Sequence, residues 1–158
     1  YKYRLRTPAK AVASFAYIFG TRGCINVDAE LVNYKGAHLK TTKDPGYTPY
    51  DYEVENKEAE EQLRTVVNLR VGGELGFNSQ YLIRGGFALY PAAYNQQINP
   101  AKGTQVFFFF LGFKLKNMTF DLALKVSHRN YNYYAFDNSL TTVKSFKNGE
   151  IDNFALNF

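Results

Sequence analysis

A run of four phenylalanines lies inside the stretch TQVFFFFLGFKLK, residues 104–116, and this stretch constrains the fold more than any other. Every second residue is apolar, whereas the residues between them mix apolar, small and charged side chains. The apolar set is Phe107, Phe109, Leu111, Phe113 and Leu115. Because successive side chains of a β-strand point to opposite faces, the stretch predicts a strand with one wholly apolar face and one mixed face.

The same alternation recurs along the whole chain. It predicts about seven strands, at residues 6–19, 24–35, 66–77, 80–90, 104–116, 118–130 and 150–158. Tight turns join some of them, and long polar connections join the others, at residues 36–64, 91–103 and 131–149. The end of the first connection is acidic and predicts a short helix.

The lengths of these strands and loops predict an all-β, antiparallel transmembrane β-barrel. Strands of about nine to fourteen residues, with short turns at one end and long loops at the other, are typical of outer-membrane barrels. A soluble β-sandwich is the alternative, although its strands are usually about five or six residues long. Residues 1–158 are therefore interpreted as a single β-barrel segment whose three long connections are extracellular loops.

Composition and motifs exclude several classes of function. The net charge is +5, but the basic residues are spread singly, so a nucleic-acid partner is not expected. The two histidines, His38 and His128, have no second ligand at metal-binding spacing, and the chain contains neither a GxSxG motif nor a phosphate-binding glycine loop. We therefore expect no enzyme activity, no catalytic residue, no metal and no cofactor.

The mixed face carries charges of both signs on neighbouring strands. Charged side chains on adjacent strands can pair and thereby avoid the cost of an isolated, partly buried charge. We expect Arg70 to lie beside Asp28 or Glu30, and Glu74 to lie beside Arg84. The predicted network in the barrel lumen comprises Asp28, Glu30, Arg70, Glu74, Asp121 and Arg129.

Three apolar residues, Val106, Phe108 and Phe110, share this mixed face near the long-loop end of their strand. An aqueous channel would have polar side chains there, so the patch indicates either a packed interior or a route for a hydrophobic molecule. For such a molecule the three residues are the predicted contacts. Arg84 and Lys125 are the candidate partners of a carboxylate headgroup.

Two segments carry a resemblance to a known family. They are LRTPAKAVASFAYIFGTRGCINVDAELVNYKGA and NLRVGGELGFNSQYLIRGGFALYPAAY, and they resemble the C-terminal half of FadL-like outer-membrane proteins of the Bacteroidota type. The resemblance implies passive transport of hydrophobic compounds, such as long-chain fatty acids, across the outer membrane of a Gram-negative bacterium. It also implies contact with outer-membrane lipid and lipopolysaccharide.

The family has a fourteen-stranded barrel with an N-terminal hatch, so the resemblance implies that this chain supplies about half of the strands. We expect the N-terminal half of the barrel to be a separate or missing segment. One alternative is a complete small barrel in which residues 140–146 form an eighth strand. Another is a barrel that acts as a protein-interaction platform, as in type IX secretion, with residues 43–60 as the binding loop. The terminal Phe158 resembles the signal for barrel assembly.

Overall fold

The computed structural model describes residues 3–41, 50–77, 80–97, 102–114, 118–134 and 146–157. Leu115 and Phe158, which the sequence analysis singled out, lie outside these ranges. The described residues form nine β-strands, one α-helix and a short 3-10 helix. The strands are β1 (Tyr3–Arg6), β2 (Ala9–Phe19), β3 (Gly23–Asn33), β4 (His38–Thr41), β5 (Thr65–Phe77), β6 (Tyr81–Tyr90), β7 (Gly103–Lys114), β8 (Thr119–Tyr134) and β9 (Phe146–Asn157); the helix is α1 (Glu53–Gln62) and the 3-10 helix spans Tyr34–Gly36.

Seven of the strands form one antiparallel sheet, which we call the main sheet. Its order is β2-β3-β5-β6-β7-β8-β9, so each strand pairs with the next main-sheet strand along the chain. This arrangement confirms the predicted all-β, antiparallel class. Within the described residues, β2 and β9 are the two edges of the sheet.

The two ends of the main sheet differ in their connections. At one end, the turn end, the hairpins close at the pairs Phe19↔Gly23 and Phe77↔Tyr81. Neighbouring hairpins are tied together there, because the N–H of Gly76 donates to the carbonyl oxygen of Arg22 at 2.7 Å. At the other end, the loop end, the connections are long. The predicted asymmetry between short turns and long loops is therefore present.

The first predicted strand, residues 6–19, is interrupted at Thr7 and Pro8. Proline has no backbone N–H and cannot donate to the ladder, so β1 ends at Arg6 and β2 begins at Ala9. β1 then pairs with β4, from Tyr3↔Thr41 to Arg6↔His38, and extends the β2–β3 hairpin beyond the main sheet. The predicted loop at residues 36–64 is wrong to this extent, since it contains β4 as well as the expected acidic helix.

The helix α1 is held against β4 by one side chain. The amide of Asn56 donates to the carbonyl oxygen of Leu39 at 2.9 Å and accepts from the N–H of Leu39 at 2.7 Å. Asn56 thus satisfies both backbone groups of Leu39. No helix in the described part of the chain is long and apolar enough to cross a membrane.

The third predicted connection, residues 131–149, is also shorter than expected. The β8–β9 ladder continues through it as far as Tyr134↔Phe146. Of the possible eighth strand at residues 140–146, only Phe146 is described, and it begins β9.

The register gives the main sheet two unlike faces. One rung crosses the apolar face as Phe15↔Val27↔Val71↔Phe87↔Phe107↔Val126↔Phe154. The side chains of this face are largely exposed, for example Phe15 at 66% and Phe107 at 51%. The buried residues among those described lie on the opposite, mixed face: Val32, Val66, Asn68 and Ala88.

Candidate functional site

Three rungs of the mixed face bring the predicted ligand contacts together in the middle of the main sheet. They are Arg70↔Ala88↔Val106, Gly72↔Gly86↔Phe108↔Lys125 and Glu74↔Arg84↔Phe110. A cavity of about 440 Å³ lies over these rungs. Four of the five predicted contacts line it: Val106, Phe108, Arg84 and Lys125.

Glycines of β5 and β6 contribute to the lining of the cavity. Gly72 of β5 lies on the mixed face, and Gly73 and Gly85, whose side-chain positions belong to the apolar face, contribute backbone to the lining. The side chain of Asn26 lies over Gly72, where an added Cβ would meet its Oδ1 at 2.8 Å. The walls are apolar at Val106 and Phe108 and polar at Asn26 and Arg70, so the cavity suits a molecule with an apolar part and a polar part.

Arg84 is already engaged by two neighbours. Its Nε donates to Oε2 of Glu74 at 2.6 Å, a charge-assisted hydrogen bond across the β5–β6 ladder. Its guanidinium carbon lies 5.0 Å from the centre of the Phe110 ring, within the range of a cation–π contact. Phe110 therefore contacts Arg84, although Phe110 does not itself line the cavity. The positive charge of Arg84 is therefore balanced without a ligand.

Arg70 is balanced in the same way by two carboxylates of β3. Its Nη2 lies 3.6 Å from Oε2 of Glu30, and its Nε lies 3.8 Å from Oδ2 of Asp28. Glu30 in turn contacts Lys10 at 3.6 Å and accepts a hydrogen bond from the buried amide of Asn68 at 3.1 Å. The structure thus pairs these charges as the sequence predicts. Partly exposed pairs of this kind contribute about 0–1 kcal/mol each, so they position side chains more than they stabilise the sheet.

Lys125 differs from the two arginines. It lines the cavity from β8, directly across the ladder from Phe108. Within the described part of the chain, its ammonium group has neither an ion-pair nor a hydrogen-bond partner. Arg70 and Arg84, the other two cations that line the cavity, are both paired with carboxylates.

The remaining two residues of the predicted lumen network lie away from the cavity. Asp121 pairs in register with Gly112 and lines a second cavity, of about 330 Å³, at the turn end. Arg129 is opposite Thr104 toward the loop end and is exposed. Among the described residues, no group of three His, Cys, Asp or Glu side chains could hold a metal ion.

Sequence reasoning missed several lining residues of the cavity. Asn26 has the same parity as Asp28, and Ala88 and Tyr90 have the same parity as Arg84, so alternation alone places them on the mixed face. The register that brings them beside Val106 is not visible in the alternation. Alternation therefore predicts the face of the sheet on which each residue lies, but it does not predict which residues of neighbouring strands lie side by side.

A further cavity, of about 720 Å³, lies at the turn end and is lined mainly by the apolar face. Its aromatic lining residues are Phe77, Tyr81, Phe113 and Phe120. The rings of Tyr81 and Phe113 have centres 4.9 Å apart. This cavity is a hollow in the apolar surface, and Asp121 is the one charged residue that lines it.

Comparison of the chain with protein-family models, curated proteins and solved structures finds no match. The resemblance to FadL-like proteins accordingly stays a prediction.

Proposed function

We propose that the main sheet forms part of the wall of an outer-membrane β-barrel. Its cavity would mediate passive uptake of hydrophobic compounds that carry an anionic group. The observation that carries the proposal is the exposed apolar face. Large apolar side chains are exposed on it from β2 to β8, as at Phe15, Leu75 and Phe120. Soluble proteins rarely expose apolar patches larger than a few hundred Å², whereas a lipid-facing surface requires one.

The height of the apolar face agrees with a bilayer. In β5 the apolar positions run from Val67 to Phe77. Ten steps of about 3.3 Å each give about 33 Å along the strand, and a tilt of about 40° reduces this to about 25 Å. The apolar band of outer-membrane barrels is about 25 Å tall. This match supports a transmembrane orientation with the mixed face toward the lumen.

In this proposal the edges at β2 and β9 pair with further strands. Unpaired backbone groups in lipid cost several kcal/mol each, so an open edge is not tolerated there. A fourteen-stranded barrel, in which the main sheet provides seven strands and a further segment provides the others, would satisfy both edges. Outer-membrane lipid and lipopolysaccharide then cover the apolar face.

The cavity would act by partition and involves no covalent chemistry. The apolar part of the compound lies against Val106 and Phe108, and its anionic group lies near Lys125. Burial of apolar surface supplies the driving force, at about 25 cal/mol per Å². The charge of Lys125 adds selectivity for anions, because the neighbouring arginines are already paired.

Replacing Lys125 with Met tests this assignment. Met keeps the apolar stem and removes the charge, so we expect uptake of dodecanoate into proteoliposomes to fall by about 10- to 100-fold, since a hydrogen bond to a charged group contributes about 1.5–3 kcal/mol. Uptake of the neutral methyl ester should not change. The control is Arg129→Met, which removes an exposed cation from the same face and strand. Equal effects of the two substitutions, or no effect of Lys125→Met, would contradict the proposal.

A second candidate function is a protein-interaction platform. The observation that favours it is the ordered segment at the loop end, where β4 and α1 are joined through Asn56. α1 has the sequence EVENKEAEEQ, with five glutamates and one lysine, and would suit a basic partner.

Deletion of residues 43–60 separates the two functions. It removes most of α1, including Asn56, and leaves the main-sheet strands intact. If the chain is an interaction platform, the deletion should abolish cross-linking of the protein to its partner in intact cells. Dodecanoate uptake should then stay within about twofold of the full-length chain, since a change of that size is only about 0.4 kcal/mol. Loss of uptake with cross-linking retained would contradict the platform function.

A further inference from the structure

The two short strands β1 and β4 form a ribbon at the loop end, and the two long edges of this ribbon differ. On the β4 edge, the N–H and the carbonyl oxygen of Leu39 both bond to the side chain of Asn56. Because the N–H of Leu39 donates away from β1, the pair Leu5↔Leu39 is a non-hydrogen-bonded pair of the antiparallel ladder. In such a pair both residues direct their backbone groups outward. Asn56 therefore closes the edge of β4 at this point.

The edge of β1 is open at the matching position. The N–H and the carbonyl oxygen of Leu5 point away from β4, and they have no hydrogen-bond partner within the described part of the chain. The residue itself is 59% exposed. An edge of this kind can accept a further strand through main-chain hydrogen bonds. A third strand would also stabilise the ribbon, because two strands alone are marginally stable in water.

One face of the same ribbon, which we call the basic face, carries four basic residues. Arg4 is directly opposite Lys40, and Arg6 is directly opposite His38. All four are exposed. Like charges directly opposite each other destabilise an antiparallel pair. Among the described residues, no ion pair involves Arg4, Arg6 or Lys40, so the charge of the basic face is not balanced by a neighbouring side chain.

The helix α1 leaves the basic face uncovered, although it lies beside β4. It carries five glutamates, but none of the ion pairs between described residues joins them to the ribbon. The residue before the helix, Tyr52, contacts Tyr3 with ring centres 6.4 Å apart. By alternation, Tyr3 lies on the face opposite to Arg4. The helical segment therefore packs on the edge of β4 and on the other face of the ribbon.

We propose that β1 binds an extended acidic peptide of a partner protein as a third strand of the ribbon. The main chain of the peptide bonds to Leu5, and every second side chain is an Asp or Glu that lies beside Arg4 or Arg6. An extended peptide meets both requirements, because the open edge needs backbone donors and acceptors and the basic face needs anions at a period of two. The proposal rests on the interaction platform, the second function proposed above, and gives it a class of partner. It does not depend on uptake, since the ribbon does not line the cavity.

The test is the fluorescence anisotropy of labelled peptides titrated with the protein in detergent micelles, at about 50 mM NaCl to limit screening. The probe is Glu-Val-Glu-Val-Glu. One control, Lys-Val-Lys-Val-Lys, reverses the charge, and another, Glu-Glu-Glu-Val-Val, keeps the charge without the alternation. A third control carries N-methyl groups on both valines, which removes the donors that would face Leu5. We expect the probe to bind at least about 10-fold more tightly than each control, the equivalent of one or two main-chain hydrogen bonds.

Variants of the protein test the edge and the basic face separately. Leu5→Pro removes an outward N–H and puts a ring on the edge without removing a β1–β4 hydrogen bond, so it should weaken binding by at least about 10-fold. Arg4→Gln combined with Lys40→Gln should weaken binding by about 10-fold at low salt and by less at high salt. Lys35→Gln is the matched control, because Lys35 is an exposed lysine of the 3-10 helix outside the ladder. It should change binding by less than about twofold, since its charge lies off the basic face.

The possible results decide each part of the proposal. Equal binding of the probe and its N-methylated form overturns the added strand, and it does so without altering the protein, should Leu5→Pro not fold. An equal loss in Lys35→Gln and in the double variant overturns the role of the basic face. Protection of the Leu5 amide from hydrogen exchange in the peptide-free protein would mean that another strand of the barrel already covers β1, which also overturns the proposal. If the probe does not bind while deletion of residues 43–60 still abolishes cross-linking, the β1 site fails and the platform stands.

Discussion

Replacing Phe109 with Arg is expected to impair strongly the assembly of the chain in a membrane. Phe109 lies on the apolar face, near the middle of the apolar positions from Phe107 to Phe113. A charged side chain on the lipid face at the middle of the bilayer costs about 2–4 kcal/mol. The free energy of folding of a whole domain is only about 5–15 kcal/mol, so this one substitution removes a large part of it.

The measurement is the fraction of urea-unfolded protein that folds into phospholipid vesicles and becomes protected from protease. We expect Phe109→Arg to reduce that fraction severely, whereas Phe108→Arg, one residue away on the mixed face, should reduce it little. The two phenylalanines are almost equally exposed, at 43% and 44%, so exposure alone predicts no difference between them. If both variants insert equally well, the apolar face does not meet lipid, and the membrane proposal fails.

Replacing Phe108 with Asp is expected to abolish uptake while the sheet still assembles. The substitution removes the ring that forms an apolar wall of the cavity and places a carboxylate across the ladder from Lys125. The new carboxylate would pair with Lys125 and repel an anionic ligand, so both the apolar and the charged contacts are lost.

Uptake of dodecanoate by proteoliposomes should fall to the level of protein-free vesicles, and the folded fraction should match that of the wild type. Phe108→Leu is the control, because leucine keeps an apolar wall without adding a charge, and it should retain part of the uptake. Unchanged uptake in Phe108→Asp would show that the cavity is not on the path of the ligand.

Alternation along the sequence is sufficient to predict both faces of the main sheet. Strand side chains have a period of two, so Phe107 and Phe108 fall on opposite faces whatever the rest of the chain does. The same reasoning places Arg84 and Lys125 on the mixed face, and it already predicts Glu74 as the neighbour of Arg84. The register confirms that pairing and adds that Lys125 lies opposite Phe108.

Other features depend on contacts that no local pattern specifies. The ring of Phe108 lies against the backbone of Gly86 because these two residues pair directly across the β6–β7 ladder. The alternation within each strand does not determine that pairing. The pairing of β1 with β4 depends on Tyr3 and Thr41 meeting across a long sequence separation. Pro8, by contrast, is a local signal that could have predicted the break between β1 and β2.

The sequential order of the main sheet also has a consequence for how the chain folds. Most of its ladders join strands that are close in sequence, so the loops between those strands are short. Short loops close quickly and with little loss of chain entropy. The exception is the β3–β5 ladder, which has to bridge residues 34–64. The contact of α1 with β4 through Asn56 lies within that bridge, and it divides the long connection into shorter loops. Because shorter loops close with less loss of chain entropy, we expect Asn56→Ala to slow the formation of the β3–β5 ladder.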